Sequence, residues 1–143
     1  GPRKRPQAGL TLAEVVVALS ITGLAVGGIV SGYTFCTSSA EKAALTLAAN
    51  ARAMERIEQT RCAKWDLSGW PELDELVSTN FPDRSVALDL SGTGKEVTKA
   101  TVLTEIALVS TNPPLKRIRV HCLWQFKGAM LTNTIETYRA PDQ

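Results

Sequence analysis

The sequence predicts an α+β fold, in which one long N-terminal helix is followed by a small antiparallel sheet. Apolar residues follow a helical period through the first 65 residues, and neither Pro nor Gly occurs between Tyr33 and Leu67. After residue 85 the period changes to two, which is the alternation of strands with one buried face. We therefore expect the second half of the helix to lie on the apolar face of the sheet.

The first half of the predicted helix is suited to a membrane. Residues 10–36 contain one charged residue, Glu14. A helix of this length measures about 40 Å, more than a hydrocarbon core of about 30 Å. Cations lie at positions 3–5, and Lys42 is the first to follow. The positive-inside rule therefore predicts that residues 1–9 stay in the cytoplasm and that the remainder is translocated.

Three simpler interpretations of the apolar segment explain less. A secretory signal peptide has an apolar region of about 7–15 residues, which is shorter than this one. A buried core helix is disfavoured by the length of the segment together with its near-total apolarity around the whole circumference. A globular domain on an uncleaved single-pass anchor accounts for the length but not for Glu14, because a carboxylate in a membrane helix costs about 2.5–3.5 kcal/mol.

The residues around this carboxylate resemble the N-terminal signal of type IV prepilins and type II secretion pseudopilins. The shared pattern is a basic leader, then Gly9, Leu10, Thr11 and Leu12, then Glu14 and a long apolar helix. The departures are Leu10, where Phe is commonest, and Ala13, where Ile, Leu or Val is usual. The resemblance implies a pilin-like fold, with a transmembrane first half of the helix and a head that packs on the second half.

The resemblance also implies how the chain is processed and assembled. A prepilin peptidase would cut between Gly9 and Leu10 and methylate the new amine of Leu10, and Glu14 would guide assembly by pairing with the amine of a neighbouring subunit. The implied partners are other pilin or pseudopilin subunits, the prepilin peptidase/methyltransferase, the assembly platform of the bacterial inner membrane and, before assembly, the lipid bilayer. The head would be periplasmic, and would then be part of a pilus or pseudopilus.

Softer similarities point to the minor or initiating subunits, the pilin V-like and secretion pseudopilin I-like group. They lie in residues 14–20, in residues 53–58 leading into Trp65 and Asp66, and in residues 138–141. We therefore expect a structural subunit of a type IV pilus or type II secretion pseudopilus and not an enzyme, with no cofactor, no metal and no catalytic residue.

The expected division of the chain follows these patterns. Residues 1–9 are the cytoplasmic leader, 10–36 the transmembrane and assembly half of the helix, and 37–143 the exported head. Within the head we expect an amphipathic helix half at 37–66, a connecting region at 67–84 and an antiparallel sheet at 85–139. The helix stripe expected to face the sheet steps by three or four residues: Leu47, Ala51, Met54, Ile57, Cys62 and Trp65.

The connecting region and the sheet are predicted from turn residues and alternation. Residues 71–77 are expected to form a short helix, on which Glu72, Asp74 and Glu75 are exposed carboxylates rather than metal ligands. Four strands then follow, separated by turns at residues 91–94, 112–114 and 127–128. Their alternating residues are Val86, Leu88 and Leu90, then Val102 to Leu108, then Ile118 to Phe126, and finally Met130 to Tyr138.

The head offers little chemistry. His121 is expected to be an ordinary sheet residue, since its neighbour Cys122 points to the opposite face. If the head is exported, Cys62 and Cys122 either form a disulfide or remain two buried thiols, and both alternatives stay open.

The charge of the head gives little support to nucleic-acid binding. Acidic and basic residues are equal in number from residue 37 onward, so the net charge of +2 comes from the three cations of the leader less Glu14. Lys116, Arg117 and Arg119 form one basic cluster, of which only the two arginines share a strand face. A DNA-uptake subunit with a weak nucleic-acid contact is therefore the less favoured alternative.

Overall fold

The structure, a computed structural model, describes residues 11–88 and 97–142. Its elements are α1 (Leu12–Cys62), the short strands β1 (Trp65–Asp66) and β2 (Leu73–Asp74), a 3-10 turn (Ser78–Asn80), and the strands β3 (Arg84–Ala87), β4 (Lys99–Thr111), β5 (Pro114–Phe126) and β6 (Ala129–Arg139). The predicted α+β architecture is confirmed. Leu90 and the predicted turn at 91–94 lie outside the described residues, as do Gly9 and Leu10.

The long helix is continuous for 51 residues, in agreement with the period of the sequence. It begins after Thr11 and ends at Cys62, before Trp65 opens the first strand. The chain divides into two compact units, Gly1–Glu41 and Lys42–Gln143. The boundary between the units therefore falls within the helix, a few residues beyond the predicted start of the head at residue 37.

The main sheet of the second unit is an antiparallel meander in the order β3-β4-β5-β6. The pairing of β4 with β5 runs from Ala100 opposite Trp124 to Thr111 opposite Pro114, with one register shift between Leu108 and Ser110. The turn between β5 and β6 places both Lys127 and Gly128 at positive φ, as a two-residue hairpin of the primed type requires. The last three predicted strands and both of their turns are therefore present.

The core of the second unit lies between the helix and one face of this sheet. That face carries Val102, Ile118, Val120, Cys122 and Trp124, all of them buried. The helix contributes a buried face, which consists of Leu45, Ala49, Ala53, Ile57 and Thr60.

The predicted packing stripe on the helix is mostly wrong. Leu47 is 72% exposed, Met54 is 48% exposed, and Ala51 and Cys62 are also exposed. Ile57 and Trp65 of the predicted stripe are buried, but Trp65 lies in β1 and not in the helix. The helix instead turns its alanines inward. Ala49 and Ala53 are fully buried and belong to the same core cluster as Trp124 of β5.

The connecting region also differs from its prediction. Residues 71–77 contain no helix; Leu73–Asp74 pair with Trp65–Asp66 as a two-stranded antiparallel ribbon. The three acidic side chains, those of Glu72, Asp74 and Glu75, therefore do not lie on a helix. Asp74 pairs with Lys116, and Glu75 accepts a hydrogen bond from the backbone N–H of Lys64 at 2.9 Å. Contacts with the neighbouring elements therefore override the local helical tendency of this segment.

Candidate functional site

The start of α1 is a reciprocal hydrogen-bonded cap. One carboxylate oxygen of Glu14, Oε2, accepts hydrogen bonds from the Thr11 backbone N–H at 2.7 Å and from Thr11 Oγ1 at 2.9 Å. In return, the backbone N–H of Glu14 donates to Thr11 Oγ1 at 3.3 Å. This is a capping box, in which Thr11 is the N-cap residue and Glu14 the third residue of the helix.

The cap leaves one oxygen of the carboxylate without a partner among the described residues. Among the described residues, no hydrogen bond or ion pair reaches Oε1 of Glu14. The side chain stands among apolar neighbours on an open helix surface formed by Ala13, Val17, Ala18 and Ile21. Because this surface offers no cation, a group that pairs with Oε1 must come from outside the described chain.

The helix that follows is long and apolar enough to cross a membrane. It contains an 18-residue window with a mean hydropathy of 2.1, none of which is buried within the protein. Leu19, Leu24 and Ile29 are 67%, 79% and 72% exposed, so the described residues leave the apolar surface of this helix half uncovered. The N-terminal sequence pattern around Glu14 and the apolar helix together indicate a membrane-anchored protein.

Several hydroxyl groups in this apolar segment donate hydrogen bonds to carbonyls of the helix itself. Ser20 Oγ donates to the carbonyl of Val16 and Thr22 Oγ1 to the carbonyl of Ala18, each at 2.8 Å. Such internal bonds allow hydroxyl side chains to reside in lipid without an unpaired donor. A β-carbon added at any of the four helix glycines would meet nothing within 4 Å, so the glycines are open to an external helix: Gly23, Gly27, Gly28 and Gly32.

In the head, the charge with the most internal contacts is Lys116. Its side chain is 9% exposed, and Nζ donates to both oxygens of Asp74 at 2.6 Å and to the carbonyl of Leu76 at 2.7 Å. The ammonium also lies 4.8 Å from the centre of the Trp65 ring. Lys116 therefore fastens the connecting region to the sheet, and its charge is not presented to a ligand.

The outer face of the sheet is partly self-neutralised. Arg119 Nη2 pairs with Glu136 Oε2 at 2.6 Å, and Tyr138 donates to Glu136 Oε1 at 2.8 Å. The hydrogen bonds from Tyr138 and Arg119 lower the pKa of Glu136, and that from Tyr138 contributes most. Of the predicted basic cluster, only Arg117 is left with no ion pair among the described residues, which gives little support to the nucleic-acid alternative.

The remaining candidate residues have structural surroundings. His121 Nδ1 lies 2.8 Å from Thr134 Oγ1 on the neighbouring strand. Cys62 and Cys122 are free thiols; the first is exposed and the second buried, so the disulfide is not formed and only one thiol is buried. Burial raises the pKa of the Cys122 thiol. The described residues contain no group of three or more His, Cys, Asp and Glu side chains that could hold a metal ion.

Comparison with known proteins identifies the motif but not the head. Residues 4–30 match the family model of the prokaryotic N-terminal methylation motif, the signal of type IV pilin-like proteins. No curated protein and no solved structure matches the chain. The match covers Gly9, Leu10 and Glu14, which are the residues that carry the resemblance in the sequence.

One feature of this site was missed by the sequence reasoning. The residues Thr11-Leu12-Ala13-Glu14 have the spacing of a capping box, a Thr followed three residues later by a Glu at the head of an apolar run. The sequence analysis assigns these residues to the prepilin-type signal alone and does not predict the cap. The structure shows that the same carboxylate also has a local role at the start of the helix.

Proposed function

We propose that the protein is a structural subunit of a type IV pilus or a type II secretion pseudopilus. The single observation that supports this most is Glu14 at the start of an uncovered apolar helix, within the matched methylation motif. On this proposal a prepilin peptidase removes residues 1–9 and methylates the amine of Leu10, and the subunit then leaves the bilayer and joins a filament. The chain is not an enzyme, and it needs no cofactor.

The geometry of the cap supports different roles for the two carboxylate oxygens of Glu14. Oε2 is occupied by Thr11, which holds the side chain toward the beginning of the helix. Oε1 is then available to the partner that the proposal requires, the methylated amine of a neighbouring subunit. Cleavage creates that cation, and methylation preserves its charge. In a medium of low dielectric constant such a pair is a strong and selective contact.

We further propose that the subunit is inserted in the inner membrane with its N-terminus in the cytoplasm and its head outside, and that it is a minor or initiating subunit. The orientation is supported by the basic leader and the position of Lys42. The minor role is supported by the sequence similarities at residues 14–20 and 53–58. Its partners are other pilin-class subunits, the peptidase and the assembly platform.

Processing is the decisive test of the proposed function. The full chain is co-expressed with a prepilin peptidase, and its intact mass is measured. We expect the loss of residues 1–9 and the gain of one methyl group at Leu10. A Gly9→Leu variant serves as the matched control, since the bulky side chain blocks the cut site while the helix is unchanged. An uncleaved parent chain would support a head on a plain membrane anchor instead.

A second measurement separates the filament from the nucleic-acid alternative. Processed chain is titrated with labelled duplex DNA at low salt and then at high salt. Contacts to several phosphates would give strong, salt-sensitive binding. We expect no retardation at low salt, because Lys116 is buried and Arg119 is paired. Binding that is lost in Arg117→Glu would favour the DNA-uptake subunit.

A further inference from the structure

The most exposed large apolar side chain among the described residues is Trp70. It is 96% exposed, and two further apolar side chains beside it in sequence, Leu67 and Leu73, are 39% and 42% exposed. All three belong to the segment of residues 66–75, which we call the Trp70 loop. A tryptophan presented in this way has no role in the core, and tryptophan is enriched among the residues that dominate protein–protein contacts.

The Trp70 loop is held in shape by its own hydrogen bonds. Asp66 Oδ1 accepts from Ser68 N–H at 2.8 Å, from Ser68 Oγ at 2.7 Å and from Gly69 N–H at 3.2 Å. These bonds lower the pKa of Asp66, with that from the Ser68 hydroxyl contributing most, so the carboxylate remains charged. A preorganised loop loses less conformational entropy when it binds.

The charge of the loop selects the kind of partner. Residues 66–75 contain four carboxylates and neither Lys nor Arg: Asp66, Glu72, Asp74 and Glu75. Asp74 is compensated by Lys116, whereas no ion pair is formed by Glu72 among the described residues. The loop therefore presents an aromatic ring beside uncompensated negative charge, and a complementary surface must be basic with an apolar floor.

A surface of that chemistry exists on the same unit of this chain. A shallow groove between α1 and β3 is lined by Arg52, Arg56 and Arg84, with Val86 and Val102 beneath them and Glu55 as the one acid. Arg52 pairs with Glu55, and Arg56 donates to the carbonyl of Pro82 at 2.6 Å. Arg84 is exposed and has no ion pair among the described residues. We call these residues the arginine groove.

We propose that the Trp70 loop of one copy docks on the arginine groove of a second copy, with Trp70 stacked on guanidinium groups and Glu72 facing Arg84. The two surfaces are made of different residues, so the contact is heterologous and joins one copy to the next wherever two copies are adjacent. Cation–π stacking and opposite charge favour this pairing. The inference rests on the proposed function, because it names a contact between subunits of the same assembly.

The test is photo-crosslinking of the full chain in detergent micelles. The photoreactive amino acid p-benzoylphenylalanine replaces Trp70, and this chain is mixed with an isotope-labelled copy. We expect the crosslinked mass to map to labelled peptides that contain residues 52–59 or 84–86. The same probe at Met130, another exposed apolar position, is the matched control and should not label these peptides.

Charge reversal supplies a second readout. Glu72→Arg and Arg84→Glu should each lower the crosslink yield about two- to fivefold, since an exposed ion pair is weak, and the two changes together should restore it. Arg117→Glu, on the opposite face of the sheet, should have no effect. Label spread over the whole surface, or label unaffected by either reversal, would overturn the inference. Loss of residues 1–9 in the processing experiment is independent of this result, so the two proposals can fail separately.

Discussion

The two halves of α1 belong to one continuous helix but differ in burial: the first half is exposed, and the second half has one buried face. In the first half no described side chain is buried, and Glu14 is the only charge from residue 12 to residue 36. In the second half Ala49, Ala53 and Ile57 are buried against the sheet, and charged residues form pairs along the exposed side. The contacts that the first half needs lie outside the chain, whereas those of the second half lie within it.

This difference separates assembly from folding. A change in the first half should leave the head folded and remove the contacts with membrane or partner. A change in the buried face of the second half should destabilise the head and affect assembly only as a consequence. The same type of substitution therefore has different results at the two ends of one helix, and the following variants test this separation.

The largest effect is expected at the lone carboxylate. Glu14→Leu should lower incorporation into filaments about tenfold or more, because the partner amine loses its counter-charge in an apolar surrounding. The thermal unfolding of the head should not change. Incorporation is measured as the filament fraction sheared from cells, and Glu41→Leu, on the same helix, is the control. Normal incorporation of Glu14→Leu would contradict the role of the carboxylate.

A smaller effect is expected at the buried alanines of the second half. Ala53 is fully buried, so Ala53→Leu should lower the free energy of unfolding of the head by about 1–3 kcal/mol through overpacking. Ala51→Leu is the matched control, because Ala51 is exposed on the same helix and should stay within about 0.5 kcal/mol of the parent. Urea unfolding of the full chain in detergent gives both values. Equal effects at the two positions would place the packing face elsewhere.

The contact between the connecting region and the sheet should contribute slightly less. Lys116→Met keeps most of the buried side-chain volume but removes the donor to Asp74 and to the Leu76 carbonyl. We expect a loss of about 1–2 kcal/mol in urea unfolding, since Asp74 is 39% exposed and regains water. Lys99→Met, at an exposed lysine of β4, should be neutral. A neutral Lys116→Met would show that the Asp74 pair adds nothing to stability.

The smallest effect is the response of the head to acid. Hydrogen bonds from Trp65 N–H and Arg139 lower the pKa of Asp142, and those from Tyr138 and Arg119 lower the pKa of Glu136. A carboxyl whose pKa is lowered by folding stabilises the head above its unfolded pKa, which is about 4, and this contribution is lost as the pH falls further.

Thermal unfolding between pH 7 and pH 3 measures this acid response. We expect a stable plateau down to about pH 5 and a decline below it. Replacement of both carboxyls, as Glu136→Gln and Asp142→Asn, should flatten the decline. An unchanged decline in this double variant would assign the acid response to other groups.

The sequence determined the features that depend on local order along the chain. The helical period without Pro or Gly from Tyr33 to Leu67 predicted the second half of α1, which ends at Cys62, a few residues before the predicted bound of 66, and alternation with turn residues predicted β4, β5 and β6. The candidate site was also predicted from local order, because its motif is defined by the spacing of the basic leader, Gly9 and Glu14. The capping box, which the sequence analysis did not predict, also depends on only four consecutive residues, Thr11 to Glu14.

Only the tertiary structure decided which side of the second half of the helix meets the sheet. Leu47 and Met54 satisfy the helical period as well as Leu45 and Ile57 do, and the period does not distinguish between two apolar faces. The face with Ala49 and Ala53 is buried in one core cluster with Trp124, a residue far away in sequence, so the choice of face depends on the folded sheet. The burial of Lys116 could not be predicted from the sequence for the same reason. Its partners, Asp74 and the carbonyl of Leu76, belong to the connecting region and meet Lys116 only in the folded head.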